Sequence, residues 1–326
     1  MAEPTRITVL TAADENELPG LEQLDREARV RYARDEDSLA ALLPETDVLV
    51  VTDFRTEMLE RVWPEPNPIQ WVHATSAGVD ALMFPALVDS DITVTNARGI
   101  FDRGIAEYVL GAILLFAKDT LGNLRYQSEH QWRHRETALA REAQVLVVGA
   151  GSIGREVGAL LQAVDMNVIA TARSERDDDC FRKVYAQDRL PELLPEADYV
   201  VITAPLTEQT RHLFDHGMLE HMKASARLIN VGRGPIVKTD DLVAALRDGL
   251  IAGAALDVFE EEPLPADHAL WDMPNVMISA HMAGDFIGWR RALGMQFVEN
   301  FRSWQAGEDL RNIVDKRRGY AAGPGN

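Results

Sequence analysis

The sequence predicts an α/β protein made of two doubly wound, parallel-sheet domains, one inserted in the other. Three observations carry this expectation. Short, nearly all-apolar runs alternate with amphipathic helical stretches through both halves of the chain, the pattern of strands that helices cover on both faces. A long helical pattern beginning at Ile105 separates two such series. A last amphipathic helix, Gly288 to Gln305, comes after the second series is complete, which suggests a tail that crosses back to the first domain.

Taken in order, the first series reads Ile7–Leu10, Val48–Val51, Ile69–Ala74 and Ile92–Thr95. The connecting helix is expected from Ile105 to about Leu124, with apolar residues at Ile105, Val109, Ala112, Ile113 and Phe116. From Gln144 the second series gives strands at 145–150, 168–172, 199–204, 227–232, 254–259 and 276–281, with helices such as Ile153–Val164 and Thr239–Asp248 between them. The closing helix carries Trp289, Leu293, Phe297, Phe301 and Trp304 on one face, and a short run, Asn312–Val314, follows it. The expected division is residues 1–98 plus 286–326 as the outer domain and 99–285 as the inserted one. A cleft between two such domains is the default place for a ligand.

Composition narrows the possibilities. A chain of 326 residues with 46% hydrophobic side chains has material for two cores. One cysteine, Cys180, excludes an internal disulfide and a cysteine-rich metal site, and no His/Asp/Glu set has metal-ligand spacing. The N-terminus MAEPTRITVL is not a signal peptide, and no apolar stretch reaches the ~18 residues of a membrane span. The expectation is a soluble, cytoplasmic protein. Lys+Arg 33 against Asp+Glu 52 gives a net charge of −19, and only five of the cations are lysine. So acidic a chain repels nucleic acid and anionic membrane. Abundant carboxylate with scarce lysine also suits a halophilic protein, kept soluble in concentrated salt.

The strongest local motif is VLVVGAGSIGREVGALL, residues 145–161, which holds Gly149-x-Gly151-x-x-Gly154 directly after a strand and at the start of an amphipathic helix. That context makes it a dinucleotide fingerprint and the inserted domain a Rossmann domain. Gly149 permits the tight turn, Gly151 lets backbone approach the pyrophosphate, and Gly154 lets helix and strand pack. The N–H groups of Ser152 and Ile153 face the phosphates. The next strand ends Thr171-Ala172-Arg173-Ser174-Glu175-Arg176. The carboxylate that would bind a ribose 2′-OH is missing, and Arg173 stands near its place. With Ser174 and Arg176 it offers a site for a 2′-phosphate, so NADPH is expected over NAD, which should bind more weakly.

Three further segments lie at the ends of successive strands: Leu228-Ile229-Asn230-Val231-Gly232-Arg233-Gly234, Ala255-Leu256-Asp257-Val258-Phe259-Glu260-Glu261-Glu262-Pro263-Leu264, and Val276-Met277-Ile278-Ser279-Ala280-His281-Met282-Ala283-Gly284. Together with the glycine loop and Pro205-Leu206-Thr207-Glu208-Gln209-Thr210-Arg211 they resemble the D-isomer-specific 2-hydroxyacid dehydrogenases. The resemblance spans the whole inserted domain and is looser in the outer one, chiefly at Ser76-Ala77-Gly78-Val79-Asp80. It implies a flavodoxin-like outer, substrate (catalytic) domain and a catalytic set of Arg233, Glu262 and His281. It places Pro205, Thr210, Val231, Gly232, Arg233, Asp257, His281 and Gly284 against the cofactor, with Asp257 near the nicotinamide end. Ser76, Ala77 and Gly78 offer backbone N–H groups to the substrate carboxylate, with Arg233 and His281 opposite it. Ala280 departs from the proline of many relatives. D stereochemistry and a homodimer, with the 105–117 helix in its interface, are implied in the same way.

Reducing a ketone needs a hydride at carbon and a proton at oxygen. Histidine, with an ordinary pKa of about 6.5, supplies that proton near neutrality. A neighbouring carboxylate fixes its ring, and an arginine grips the substrate carboxylate. The expected reaction is therefore reversible reduction of small 2-keto acids to D-2-hydroxy acids with NADPH. A narrower alternative is a glyoxylate/hydroxypyruvate reductase; another is a dinucleotide-binding, corepressor-like regulator. Substrate side-chain preference is not legible, and Phe54, Arg55, Met83 and Phe101 are the candidate pocket walls.

Overall fold

Runs of Val, Ile and Leu form the strands, because branched side chains suit a pleated surface buried on both faces. The computed structural model describes residues 3–52 and 56–321; the pocket-wall candidates Phe54 and Arg55 lie outside them. The chain divides into two compact units, 1–101 with 286–326, and 102–285.

The first unit holds strands β1 (Thr5–Leu10), β2 (Ala28–Ala33), β3 (Val48–Val51), β4 (Trp71–Ala74) and β5 (Thr93–Thr95), with short helices α1 (Glu36–Leu42), α2 (Glu57–Arg61) and α3 (Pro85–Val88). The sheet is parallel throughout, in the flavodoxin-like order β2-β1-β3-β4-β5. The closing helix, Trp289–Ala306, belongs to this unit and buries Leu293, Phe297, Val298 and Phe301 among Ile7, Val9, Val50 and Trp71. Beyond it, Ile313 bridges antiparallel to Thr95.

The second unit begins with α4 (Asp102–Ala117) and α5 (Thr120–Ser128). The single helix expected to run to Leu124 is therefore two. Asp119 breaks it in a left-handed conformation, φ 47°, and its carboxylate caps the next helix by accepting from Gly122 N–H at 3.2 Å. Then follow β6 (Gln144–Val148), α6 (Ser152–Gln162), β7 (Asn167–Ala172), β8 (Val184–Ala186), α7 (Leu190–Leu193), β9 (Tyr199–Ile202), α8 (His216–Glu220), β10 (Arg227–Asn230), α9 (Thr239–Arg247), β11 (Gly253–Leu256) and β12 (Val276–Ile278). All seven strands of this sheet run parallel, in the order β12-β11-β10-β9-β6-β7-β8. Strand order reverses at β6, with β7 on one side and β9 on the other. That switch point, at the carboxyl edge, is where open α/β sheets bind ligands. Ile105, Val109, Ala112 and Ile113 of α4 are buried within the chain, where α4 packs on α6.

Candidate active site

The glycine loop follows β6. Gly149 has φ +113°, and a Cβ there would lie 2.6 Å from the Ala204 backbone nitrogen, so both its conformation and its packing demand glycine. A Cβ on Gly154 would lie 2.0 Å from the Gly149 carbonyl oxygen, which fixes α6 hard against the turn. Gly151 is different: a Cβ there would meet nothing within 4 Å. Its neighbourhood is open at the N-terminal end of α6, where the first N–H groups of a helix lack intrahelical acceptors. The loop thus fits a pyrophosphate by its space as well as by its spacing.

At the end of β7, Arg173 and Ser174 are exposed. Arg176 donates from Nη2 to the Ala150 carbonyl oxygen at 2.8 Å, which places its guanidinium beside the glycine loop. It also faces the buried Asp178 carboxylate at 3.7 Å, which pairs with Arg155 as well. Lys183 takes the neighbouring acids, Glu175 at 2.9 Å and Asp177 at 3.5 Å. The sequence did not point to Arg155, which meets the buried Asp178 only because the turn after β7 folds back onto α6.

Pro205 and Thr210 lie in the turn after β9, closed by Thr210 Oγ1 donating to the Pro205 carbonyl at 2.7 Å. Val231, Gly232 and Arg233 follow β10. Asn230 braces that turn, donating from Nδ2 to the Arg233 carbonyl at 3.1 Å and accepting from Gly232 N–H at 3.1 Å. Gly234 is pressed onto the next loop, where a Cβ would lie 1.8 Å from the Phe259 carbonyl carbon. The loops after β10 and β11 are therefore in backbone contact, one residue from Arg233 and three from Glu262.

Glu262 and His281 meet directly, Oε2 to Nδ1 at 2.7 Å, and the other Glu262 oxygen accepts from Phe259 N–H at 2.8 Å. Burial opposes ionisation of Glu262. The hydrogen bonds from His281 and Phe259, with the charges of His281 and Arg233, outweigh it and hold the carboxyl below its ordinary value. An ionised carboxylate only accepts, so Nδ1 carries the proton in this pair and Nε2 is the nitrogen left to exchange one.

Asp257, 2% exposed, holds the turn that presents His281. Its Oδ1 accepts from Ser279 Oγ at 2.6 Å and Met282 N–H at 2.9 Å; its Oδ2 accepts from Ala283 N–H at 2.9 Å. Its backbone carbonyl accepts from His281 N–H at 2.8 Å. Burial and the Asp257 charge raise the pKa of Asp285 at the end of the same turn. Gly284 lies against α4, where a Cβ on Gly104 would come within 2.8 Å of the Gly284 oxygen. The structure thus brings Arg233, Asp257, Glu262, His281 and Gly284 together at one sheet edge. Ser76, Ala77 and Gly78 belong to the other unit, in the loop after β4. Their carbonyls accept from Ala97 N–H, Asn96 Nδ2 and Ser76 Oγ at 3.0, 2.5 and 2.6 Å.

The family model for the D-isomer specific 2-hydroxyacid dehydrogenase, NAD binding domain, matches residues 110–283. The chain belongs to the D-isomer specific 2-hydroxyacid dehydrogenase family. As a member it is an NAD(P)-dependent oxidoreductase. A glyoxylate reductase from Thermofilum pendens is 32% identical over 298 residues, 89% of this dehydrogenase and 85% of that protein. A Xanthobacter autotrophicus D-isomer specific 2-hydroxyacid dehydrogenase, solved with NADPH and MES, superposes with a TM-score of 0.82 at 32% identity, covering 98% of this chain and 100% of that one. An NADPH-dependent glyoxylate/hydroxypyruvate reductase from Sinorhizobium meliloti, solved with NADP and sulfate, gives 0.86 at 26% identity over 98% and 100%. Among the described residues of this dehydrogenase, no helix is long and apolar enough to cross a membrane.

Proposed function

We propose that the chain reduces a small 2-keto acid, glyoxylate or hydroxypyruvate in the first instance, to its D-2-hydroxy acid with NADPH. The observation that carries this reading is the 2.7 Å pair of Glu262 Oε2 and His281 Nδ1, with the Arg233 charge acting on the same carboxylate. Residues 99–285 are the dinucleotide-binding domain; 1–98 with 286–326 bind substrate. The glycine loop and the first turn of α6 hold the pyrophosphate, and Arg173, Ser174 and Arg176 hold the 2′-phosphate. Pro205, Thr210, Val231 and Gly232 line the cofactor's path along the sheet edge. The bound dinucleotide supplies the hydride. His281, protonated at both nitrogens, gives its Nε2 proton to the keto oxygen as charge develops there, and Glu262 stabilises the imidazolium and fixes the ring plane. Arg233 grips the substrate carboxylate and polarises the ketone. The loop of Ser76, Ala77 and Gly78, its carbonyls engaged, has N–H groups suited to a substrate carboxylate. In the oxidative direction neutral His281 takes the proton back.

The relatives named glyoxylate reductase and the neighbours solved with NADPH or NADP support this choice of substrate and cofactor. The protein is placed in the cytoplasm. It pairs as a homodimer through α5 and the segment after it, where Leu124, Trp132 and Leu139 are 56%, 100% and 76% exposed. A panel of 2-keto acids with NADPH and NADH tests the proposal, with His281→Gln as its control. The variant should keep NADPH affinity and lose turnover by ~10²-fold or more. Near-normal turnover would remove His281 from its role, and no turnover of any acid by the native protein would favour a dinucleotide-binding regulator.

A further inference from the structure

We infer that Tyr108 is a positioning residue for His281, acting from α4 through the Ser279 hydroxyl and the Asp257 carboxylate. The inference rests on the proposed role of His281. Tyr108 Oη lies 2.7 Å from Ser279 Oγ, and Ser279 Oγ lies 2.6 Å from Asp257 Oδ1. A carboxylate has no proton to give, so the Ser279 hydroxyl donates to Asp257. That hydroxyl has one proton, so Tyr108 must be the donor to Ser279. The direction needs a neutral phenol, and burial, opposed in part by the Ser279 hydrogen bond and reinforced by the Asp257 charge, pushes Tyr108 up to about 12.

The relay ends on the group that shapes the His281 turn. His281 has φ +51°, a left-handed conformation that residues other than glycine adopt uncommonly. Asp257 imposes it by drawing in the N–H groups of Met282 and Ala283 at 2.9 Å while its own carbonyl holds His281 N–H at 2.8 Å. Oδ1 serves two donors, Ser279 Oγ and Met282 N–H. Ser279 thus sets where that oxygen sits, and Tyr108 sets where Ser279 sits. The helix supplying Tyr108 also bonds the cofactor helix, since Asp102 accepts from Ser152 Oγ, and it touches the turn again where Gly104 meets Gly284. One rigid helix therefore references the His281 turn to the N-terminus of α6.

The test is Tyr108→Phe, which keeps the ring and removes the hydroxyl, beside Ser279→Ala, Ser279→Thr and the double variant Tyr108→Phe/Ser279→Ala. With a saturating 2-keto acid, kcat should fall about 10-fold in Tyr108→Phe while the NADPH dissociation constant stays within about twofold. Ser279→Thr, which retains a hydroxyl, should recover most of the activity lost in Ser279→Ala. The double variant should be no slower than Ser279→Ala alone, because a relay with its middle removed has nothing more to lose. A native kcat in Tyr108→Phe, or losses that multiply in the double variant, would overturn the relay. His281→Gln run in parallel separates the two readings: if it turns over normally, the catalytic role of His281 fails, whereas its loss beside an unaffected Tyr108→Phe removes only the relay.

Discussion

Gly234→Ala would drive a methyl group into the backbone that carries Glu262. The added Cβ would lie 1.8 Å from the Phe259 carbonyl carbon, 1.9 Å from its oxygen and 2.5 Å from the Glu260 nitrogen. These are main-chain atoms, so no rotamer change relieves the overlap. Carbon atoms need ~3.5 Å, so the loops after β10 and β11 must part by ~1.7 Å. Arg233 precedes the substitution, and Phe259 N–H is one of the two hydrogen-bond donors seen on the Glu262 carboxylate. Parting the loops therefore moves Arg233 away from the Glu262–His281 pair. A misplacement of ~1 Å at a reacting group costs ~10²-fold, so kcat/KM for the keto acid should fall by at least that much. The overpacking should also cost about 1–3 kcal/mol of stability. NADPH affinity, which the proposed function assigns to the glycine loop on the far side of β9, should change only a few-fold. Steady-state kinetics, NADPH fluorescence titration and thermal melts read the three quantities. Gly217→Ala is the control, since its nearest atom would be Asp215 Oδ1 at an ordinary 3.6 Å. A Gly234→Ala protein with native kcat/KM would refute the argument that this contact aligns the site.

Arg173→Asp should lower the NADPH-to-NADH ratio of kcat/KM by about 10-fold or more, because the proposed charge-assisted partner of the 2′-phosphate becomes a repulsive one; an unchanged ratio would remove Arg173 from cofactor selection. His73 is fully buried, and burial pushes its pKa down to about 3. Below about pH 6.5 the unfolded chain takes up a proton that folded His73 refuses, so its stability contribution is complete above that value and declines as pH falls toward 3. Between pH 7 and pH 5 the loss comes to about 2 kcal/mol. Urea denaturation of His73→Leu should show a pH dependence flatter by about that amount, whatever its absolute stability; an identical slope would contradict it. A net charge of −19 with five lysines should make the native protein more heat-stable in multimolar KCl than in dilute buffer, and equal melting temperatures would count against a halophilic design.

The two parallel sheets were legible because their inner strands are buried on both faces and read as unbroken apolar runs, as in VLVVGA and YVVITA. Two edge strands, β2 and β8, were not. In β2, ARVRYA, the residues between the buried ends are exposed or half-exposed, so Arg29 and Arg31 fit its surroundings and mask it from an apolar search. At the edge of the other sheet, β8 reads VYA and buries fully only Val184, so it offers no apolar run. The helix break at Asp119 was hidden because Leu121 and Leu124 continue the apolar pattern past it. Its local signal was there, an aspartate three residues before a glycine whose N–H it caps. In the site, the residues that meet at strand ends were legible through the family resemblance that the strand-end motifs carry. Tyr108 and Ser279 were not, since each reads locally as an ordinary residue of a helix or a strand end. Their contact spans 171 positions of sequence, and only the fold creates it.

Each of the three loops at the sheet edge is held by a different physical device. The loop after β10 is braced by Asn230 and set against its neighbour by steric contact, Gly234 against Phe259. The loop after β11 is set by the Glu262 carboxylate bonding back to Phe259 N–H within its own turn. The loop after β12 is set by charge-assisted hydrogen bonds to one buried aspartate. Of these, the last opposes the largest local penalty, because His281 sits at φ +51°, a conformation that costs on the order of 1–3 kcal/mol for such a residue. Asp257 has to exceed that cost with two N–H donors and a hydroxyl on its side chain, and a hydrogen bond to an ionised group is worth about 1.5–3 kcal/mol. The margin is wide while all its partners are present and narrows as they are removed. The ring that would exchange the substrate proton is therefore oriented by a residue that need not touch the substrate. Small changes in the shell around Asp257 should appear first as lost turnover and only later as lost fold.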